Sequence, residues 1–531
     1  MQSYIIARLP NHNTNHNIFY ATQKSLYFYV VYVIIMHKDR YKLDSIGYLY
    51  TAIANHQWSG IFRLSCVLYE WVDPKILQNA VDLVAQRMPY FFVSIQNGLR
   101  FPYFVPSTKP LLVAKDQNYP CQMFAMKDEH LIRVLYHHHR IAIEVFHAIT
   151  DGGGAFVFLN TLIKTYLNLK GKTISTNIGC LDINIPICDN EYNDDYLSYP
   201  KKAKYHFQYP KPYAYQIQYT PKKPKYKKNS CHHQRKKNKN NDKQPINAHP
   251  NNNNDKQNTN TVLNHPYYLT HFVLDTQCLK QISQQYNATI GMVITSIVAF
   301  AIDCQRQKTT QKTTQKNNLS LQNNTKNILN SKHQKNITIN TSIDLRKHLN
   351  GQSLRNNFAC KLIPITNQEH SFASIVHKIK KEFATIDSQY LYEFAQNTAR
   401  LDQFAKFYLP NKVKNTLIKL AYFYSGERLA TISIANYGVL SLPQEFEKHI
   451  YTYESSNGVA KLARQIEASV VTFANKTTLT LCCQSKDTQI DKPIQCLLSQ
   501  LNQPYFVYDS FSGNAFSPCH LDLSYDCKNQ C

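Results

Sequence analysis

Apolar positions along this 531-residue chain change period from segment to segment, and each period predicts an element. Leu77, Ala80, Val81, Val84 and Met88 recur at three- and four-residue intervals, the face of a buried helix. Asp73 and Pro74 supply its N-cap and first-turn proline, and Pro89 stops it. Residues 131–136 and 140–146 are short runs of β-branched and aromatic residues, two strands joined by a turn at His137, His138 and His139. Helical spacing returns at Phe156, Leu159, Ile163, Tyr166 and Leu167. Further on, residues 269–274 read as a strand and 279–286 and 289–301 as helices. Residues 337–343, 431–434 and 479–482 read as strands. Helices and strands thus alternate on both sides of a long polar gap.

That gap organises the chain. Residues 201–262 carry a net charge of +13 and residues 305–336 a net charge of +7, so these two segments hold most of the formal +25. Both are low in complexity: Asn251 to Asn254 is a run of asparagine, and residues 308–316 alternate Lys, Thr and Gln. Such stretches bury too little apolar surface to fold and are expected to be disordered. The basicity therefore belongs to insertions and not to a folded nucleic-acid surface, and no specific nucleic-acid partner is expected. The expected organisation is an unassigned extension over 1–35 and a first lobe over 36–200. A basic linker follows over 201–264, then a second lobe over 265–508 interrupted at 305–336, and a cysteine-containing tail over 509–531. Residues 26–35 are apolar but shorter than the ~20 residues that span a bilayer, and translation from Met36 is an alternative start. Membrane association is left open as the minor reading. Fourteen cysteines in a chain of this length do not make a disulfide scaffold, so a reducing, cytoplasmic setting is the expectation.

The chemistry concentrates in one place. Phe146-His147-Ala148-Ile149-Thr150-Asp151-Gly152-Gly153-Gly154 joins the second predicted strand to the next helix. A histidine on such a turn has its ring direction set by backbone, and its near-neutral pKa suits it to take a proton from a hydroxyl. Asp151 can cap the helix or pair with an arginine from elsewhere. Glycine permits close approach at the same turn. No phosphate-cradling loop or dinucleotide fingerprint is present.

His147-x-x-x-Asp151-Gly152 resembles the signature of the acyl-CoA-dependent acyltransferase superfamily, which includes chloramphenicol acetyltransferase, plant BAHD acyltransferases, condensation domains and alcohol acetyltransferases. Other segments extend the resemblance over about 400 residues. Residues 57–65 are similar to an opening strand of the alcohol acetyltransferase branch. Asp344, Arg346, Arg355 and their neighbours resemble a paired-arginine segment of the second lobe. Ser433-Ile434-Ala435-Asn436-Tyr437-Gly438 resembles a Ser-Asn-x-Gly strand, with Ala435 in place of serine. The resemblance implies an α+β fold of two chloramphenicol-acetyltransferase-like lobes, each a mixed β-sheet backed by helices. It implies an acyl, chiefly acetyl, transfer from acyl-CoA to an alcohol hydroxyl. His147 and Asp151 are the candidate catalytic pair, His147 as general base and Asp151 as a structural residue held by Arg346. Gly152 leaves room at the channel, and Ser433 and Asn436 are candidates for contacts to the thioester carbonyl or the acceptor. Acyl-CoA is implied as co-substrate, with no prosthetic group. Condensation domains carry a second histidine before the catalytic one, where this chain has Phe146, which favours a small-acceptor branch. The competing readings are a non-catalytic scaffold of the same fold and condensation with a carrier-bound donor.

In related proteins a small zinc ribbon can follow the catalytic part. Here Cys519, Cys527 and Cys531 are the candidates, with His520 as a fourth ligand only awkwardly, since adjacent residues seldom bind one ion, and a degenerate remnant is expected. The paired histidines His232 and His233 and the triple at 137–139 lack ligand partners at metal-binding spacing.

Overall fold

The structure is a computed structural model that describes residues 40–55, 58–98, 101–116, 120–126, 129–200, 213–217, 268–320, 335–366, 368–405, 407–458, 466–484 and 490–509. Its strands in chain order are β1 (Tyr41–Lys42), β2 (Ile61–Leu68), β3 (Val93–Asn97), β4 (Pro102–Pro106), β5 (Ala114–Lys115), β6 (Ile132–His137), β7 (Arg140–Phe146), β8 (Tyr268–Asp275), β9 (Ile337–Asp344), β10 (Phe358–Ile365), β11 (Ile432–Val439), β12 (Ile450–Asn457), β13 (Ile466–Phe473), β14 (Lys476–Cys483) and β15 (Tyr505–Asp509). The helices are α1 (Ser45–Ile53), α2 (Pro74–Arg87), α3 (Gly152–Leu169), α4 (Asp195–Ser198), α5 (Thr276–Gln285), α6 (Ile290–Ser320), α7 (Arg346–Leu349), α8 (Phe372–Phe383), α9 (Ser388–Ala405), α10 (Asn411–Ser425) and α11 (Asp491–Gln500).

The first lobe is a five-stranded mixed sheet in the order β12-β2-β7-β6-β5, beside a three-stranded sheet β1-β4-β3. Helices α2 and α3 cover its main sheet. Asp73 caps α2 by accepting from the amides of Lys75 and Ile76, and Leu77, Ala80, Val81, Val84 and Met88 all lie in the core, as their spacing predicts. Leu159, Leu162 and Ile163 of α3 are fully buried, and each contributes roughly 1.5–3 kcal/mol by leaving water. The second lobe is a seven-stranded mixed sheet, β10-β9-β11-β13-β14-β8-β15, covered by α5, α6, α8 and α11 with a separate aliphatic core. This is the two-lobed α+β architecture that the sequence predicts.

Three features depart from the sequence reading. β12 follows most of the second lobe in sequence yet pairs antiparallel with β2 in the first lobe's sheet, from Ile450 opposite Leu68 to Asn457 opposite Phe62. The later half of the chain therefore lends one strand to the first lobe's sheet, which contiguous segments 36–200 and 265–508 do not anticipate. Helix α6 does not give way at Gln305 but runs on to Ser320, with Asp303 and Arg306 forming a buried ion pair within it. Within the basic linker, residues 213–217 dock on the second lobe, with Ala214 donating to Arg428 O and Ile217 entering the core. The extension 1–35, the other linker residues, positions 321–334 and the cysteines of the tail lie outside the described residues. Among the described residues no single helix is long and apolar enough to cross a membrane.

Candidate active site

His147 is the first residue after β7, and the antiparallel pairing of β7 with β2 fixes its backbone, its amide donating to Gly60 O at 2.9 Å. The imidazole lies flat against Tyr50 of α1, with ring centroids 4.1 Å apart and planes 7° from parallel, and Phe62 closes its edge. Its Nδ1 is 2.9 Å from Asn356 Oδ1. The Asn356 side-chain amide already donates to both carboxylate oxygens of Asp44, at 3.2 and 3.0 Å. That leaves Asn356 Oδ1 as an acceptor, so Nδ1 of His147 carries the proton and Nε2 keeps its lone pair. Asp44 in turn caps α1 through the Gly47 amide and accepts from the Asn356 backbone. Burial, with the Asp194 carboxylate nearby, pushes the Asp44 carboxyl up to about 7. Burial also lowers the His147 pKa below its ordinary value, against the opposing pull of Asp151, its own carbonyl and Asn356. The imidazole is therefore neutral near neutral pH.

Asp151 both caps and pairs. Its Oδ1 accepts from the Gly154 amide at 3.0 Å at the start of α3. Arg346 donates to its two oxygens through Nη1 and Nη2, each at 3.0 Å, and the Asn357 amide adds a bond of 2.7 Å. Arg346 also donates to Ser353 O, Arg355 O and Asp344, so its whole guanidinium is engaged. Asp151 makes no hydrogen bond to the His147 ring. Its geometry is that of a joint between the end of β9 and the turn after β7, not of a proton carrier.

The three glycines serve close approach, and none has a positive φ. A Cβ on Gly152 would overlap the Tyr437 ring, one on Gly154 would overlap Leu354 O, and one on Gly153 would lie 2.8 Å from Arg346 Nη1. Tyr437 reaches this position because β11 is bulged against β13 between Asn436 and Gly438, with Gly438 at φ +70°. The bulge turns the phenol across the lobe interface onto Gly152, where Phe156 and the Ser455 hydroxyl also meet it.

These groups line one cavity of about 1060 Å³ between the lobes. His147, Asp151 and Gly152 contribute from the first lobe, and Arg346, Ser433, Asn436 and Tyr437 from the second. All the sequence-derived candidates among the described residues thus meet at one cavity. Ser433 accepts from Asn340 at 3.2 Å, and Asn436 Oδ1 accepts from the Gly438 amide at 3.0 Å. Beyond His147 the rings of Tyr50, Trp58 and Tyr422 stack in sequence, at 5.5 and 5.7 Å between successive centroids, and form an aromatic wall along one arm of the cavity.

Sequence reasoning missed Asp44, Asn356, Tyr50 and Tyr437. Asp44 carried a usable signal, an acidic residue just before an apolar helix. Nothing local marks Asn356 or Tyr437, whose importance comes from contacts 209 residues away for Asn356 and across the lobe interface for Tyr437. Among the described residues no group of three or more His, Cys, Asp or Glu could hold a metal ion.

No protein-family model matches the chain, and no curated protein matches it. Solved structures do. TRI101 of F. sporotrichioides, determined in complex with coenzyme A and T-2, superposes with a TM-score of 0.52 at 7% identity, covering 87% of this chain and 98% of that one. TRI3 trichothecene 15-O-acetyltransferase from Fusarium sporotrichioides gives a TM-score of 0.46 at 9% identity, covering 87% and 95%. The first condensation domain of the CDA synthetase gives 0.46 at 9%, covering 87% and 94%. At such identities the likeness to TRI101 shows the fold alone.

Proposed function

We propose that this protein is an acyltransferase that moves an acyl group from acyl-CoA to an alcohol hydroxyl, with His147 as general base. The observation that carries the reading is the His147 imidazole, its Nδ1 committed to Asn356 and its ring lining the cavity between the lobes. In the proposed step Nε2 takes the hydroxyl proton as the acceptor oxygen bonds to the thioester carbonyl carbon. The electron pair of the C=O bond moves onto oxygen, within reach of Ser433 or Asn436 as candidate donors. Collapse re-forms the carbonyl and breaks the C–S bond. The departing thiolate then takes the proton from Nε2, so the histidine ends neutral and no acyl-enzyme forms. Asp151 and Arg346 keep the turn in place. A neutral, half-buried imidazole supports this role, because a protonated one has no lone pair to offer.

The test is thiol release from acetyl-CoA and longer acyl-CoAs with a panel of alcohols. The wild type is expected to release thiol only when an acceptor is present. His147→Ala is expected to lose about 10²–10⁴ in rate while keeping its fold by circular dichroism. Equal turnover by the folded variant refutes the mechanism. No release from any pair by the folded wild type refutes the reaction with a free CoA donor.

A further inference from the structure

Helix α10 is amphipathic in an unusual sense: it has two apolar faces, and among the described residues only one is covered. Ile418 and Tyr422 pack inward, Ile418 beside α1 and Tyr422 onto Trp58 at the cavity. On the opposite side Val413, Leu417, Leu420 and Tyr424 follow one another at intervals of four, three and four residues, which places them in one stripe. They are 44–58% exposed. Just before the helix, Phe407 and Tyr408 are 59% and 77% exposed. Exposed Lys412 and Lys419 border the stripe along one flank. From Gln403 to Gly426 the sequence holds four lysines and neither aspartate nor glutamate.

We propose that this face of α10, with Phe407 and Tyr408, docks onto an anionic lipid surface. Leucine, valine and aromatic side chains on one side of a helix, edged by lysines and free of acidic residues, are the composition that seats a helix in a headgroup layer. The apolar stripe enters the interface, the tyrosine and phenylalanine rings sit at the level of the headgroups, and the ammonium groups meet the negative surface. A second protein copy fits less well. Six side chains fall short of the roughly 20–30 residues per side of a standard interface, and lysine is depleted from such interfaces. The location adds a consequence, since the inner side of the same helix delivers Tyr422 to the cavity wall. An apolar compound dissolved in the lipid would lie one helix away from the cavity. The docking itself does not depend on the reaction proposed above.

The experiment is sedimentation of the full-length protein with phosphatidylcholine vesicles, with and without added phosphatidylserine. It is run beside Leu417→Asp/Leu420→Asp and Lys412→Glu/Lys419→Glu, each checked by circular dichroism. Both pairs are exposed, so the fold is retained. The wild type is expected to sediment with the phosphatidylserine vesicles. The leucine pair is expected to weaken partition roughly tenfold or more, and the lysine pair to weaken it mainly at low salt. A wild type that stays in solution overturns the proposal. Equal binding by the leucine pair also overturns it and transfers the attraction to the basic insertions. If instead the leucine pair changes the mass in analytical ultracentrifugation without any vesicle binding, the face belongs to a second copy. If vesicle binding emerges only on deleting residues 1–39, the face is covered by the chain's own N-terminal segment, and the proposal fails as well.

Discussion

A histidine becomes a base through the atom that holds its other nitrogen. In the proposed mechanism that atom is Asn356 Oδ1, and Asp44 fixes the asparagine by occupying its amide hydrogens. Asn356→Ala removes the acceptor and frees the ring to flip. On the proposed mechanism kcat is expected to fall on the order of ten- to a hundredfold with little change in KM. The pH profile supplies the readout specific to this role. Burial holds His147 below the ordinary histidine value near 6.5, so the acid limb of kcat/KM in the wild type is expected below that pH. Because Asn356 itself pulls the value up, the acid limb of the variant is expected still lower. The same shift acts on stability. Between the depressed folded value and 6.5 the unfolded chain binds more protons, so this contribution is complete above 6.5. It is lost as pH falls through the folded value.

At the scale of elements, the start of α3 and the bulge of β11 are built against one another. Gly152 has no side chain because Tyr437 stands where its Cβ would be. Gly152→Ala is expected to cost about 1–3 kcal/mol in urea denaturation, the usual penalty for overpacking a filled site. In a double-mutant cycle with Tyr437→Ala, much of that cost is expected to disappear, since the overlap is with that ring alone. Strict additivity would show that the glycine is required for some other reason. The Ser433 to Gly438 segment reads in sequence as a short strand with a turn residue. The bulge that aims Tyr437 depends on pairing with β13, more than thirty residues further on.

At the scale of the whole molecule, two of the connections that set the lobes around the cavity join segments far apart in the chain. One is β12, which pairs with β2 in the first sheet while Tyr508 of the second sheet donates to its Glu454. The other is the Asp151–Arg346 pair, which spans 195 residues of chain. Removing the arginine alone leaves a buried carboxylate without its partner. Arg346→Met is expected to cost about 3–5 kcal/mol, as broken buried pairs do. Asp151→Asn added to it is expected to restore part of the melting temperature, because an uncharged amide needs no guanidinium. A double variant no more stable than the single one would remove electrostatics as the reason.

What the sequence determined by itself was local and periodic. The spacing of Leu77, Ala80, Val81 and Val84, the Asp73-Pro74 start and the alternation of strands around His137 to His139 fixed elements whose burial follows from one face turning inward. The motif at His147 was legible because its residues are adjacent in the chain. Tertiary structure alone decided the rest. It brought Asn356 to the imidazole and Tyr437 to Gly152, and it carried β12 into the other lobe's sheet. It also continued α6 past the point where apolar periodicity ends. The contacts of Asn356, Tyr437 and β12 join segments far apart in sequence, and a pattern confined to a few turns or one strand carries no record of them.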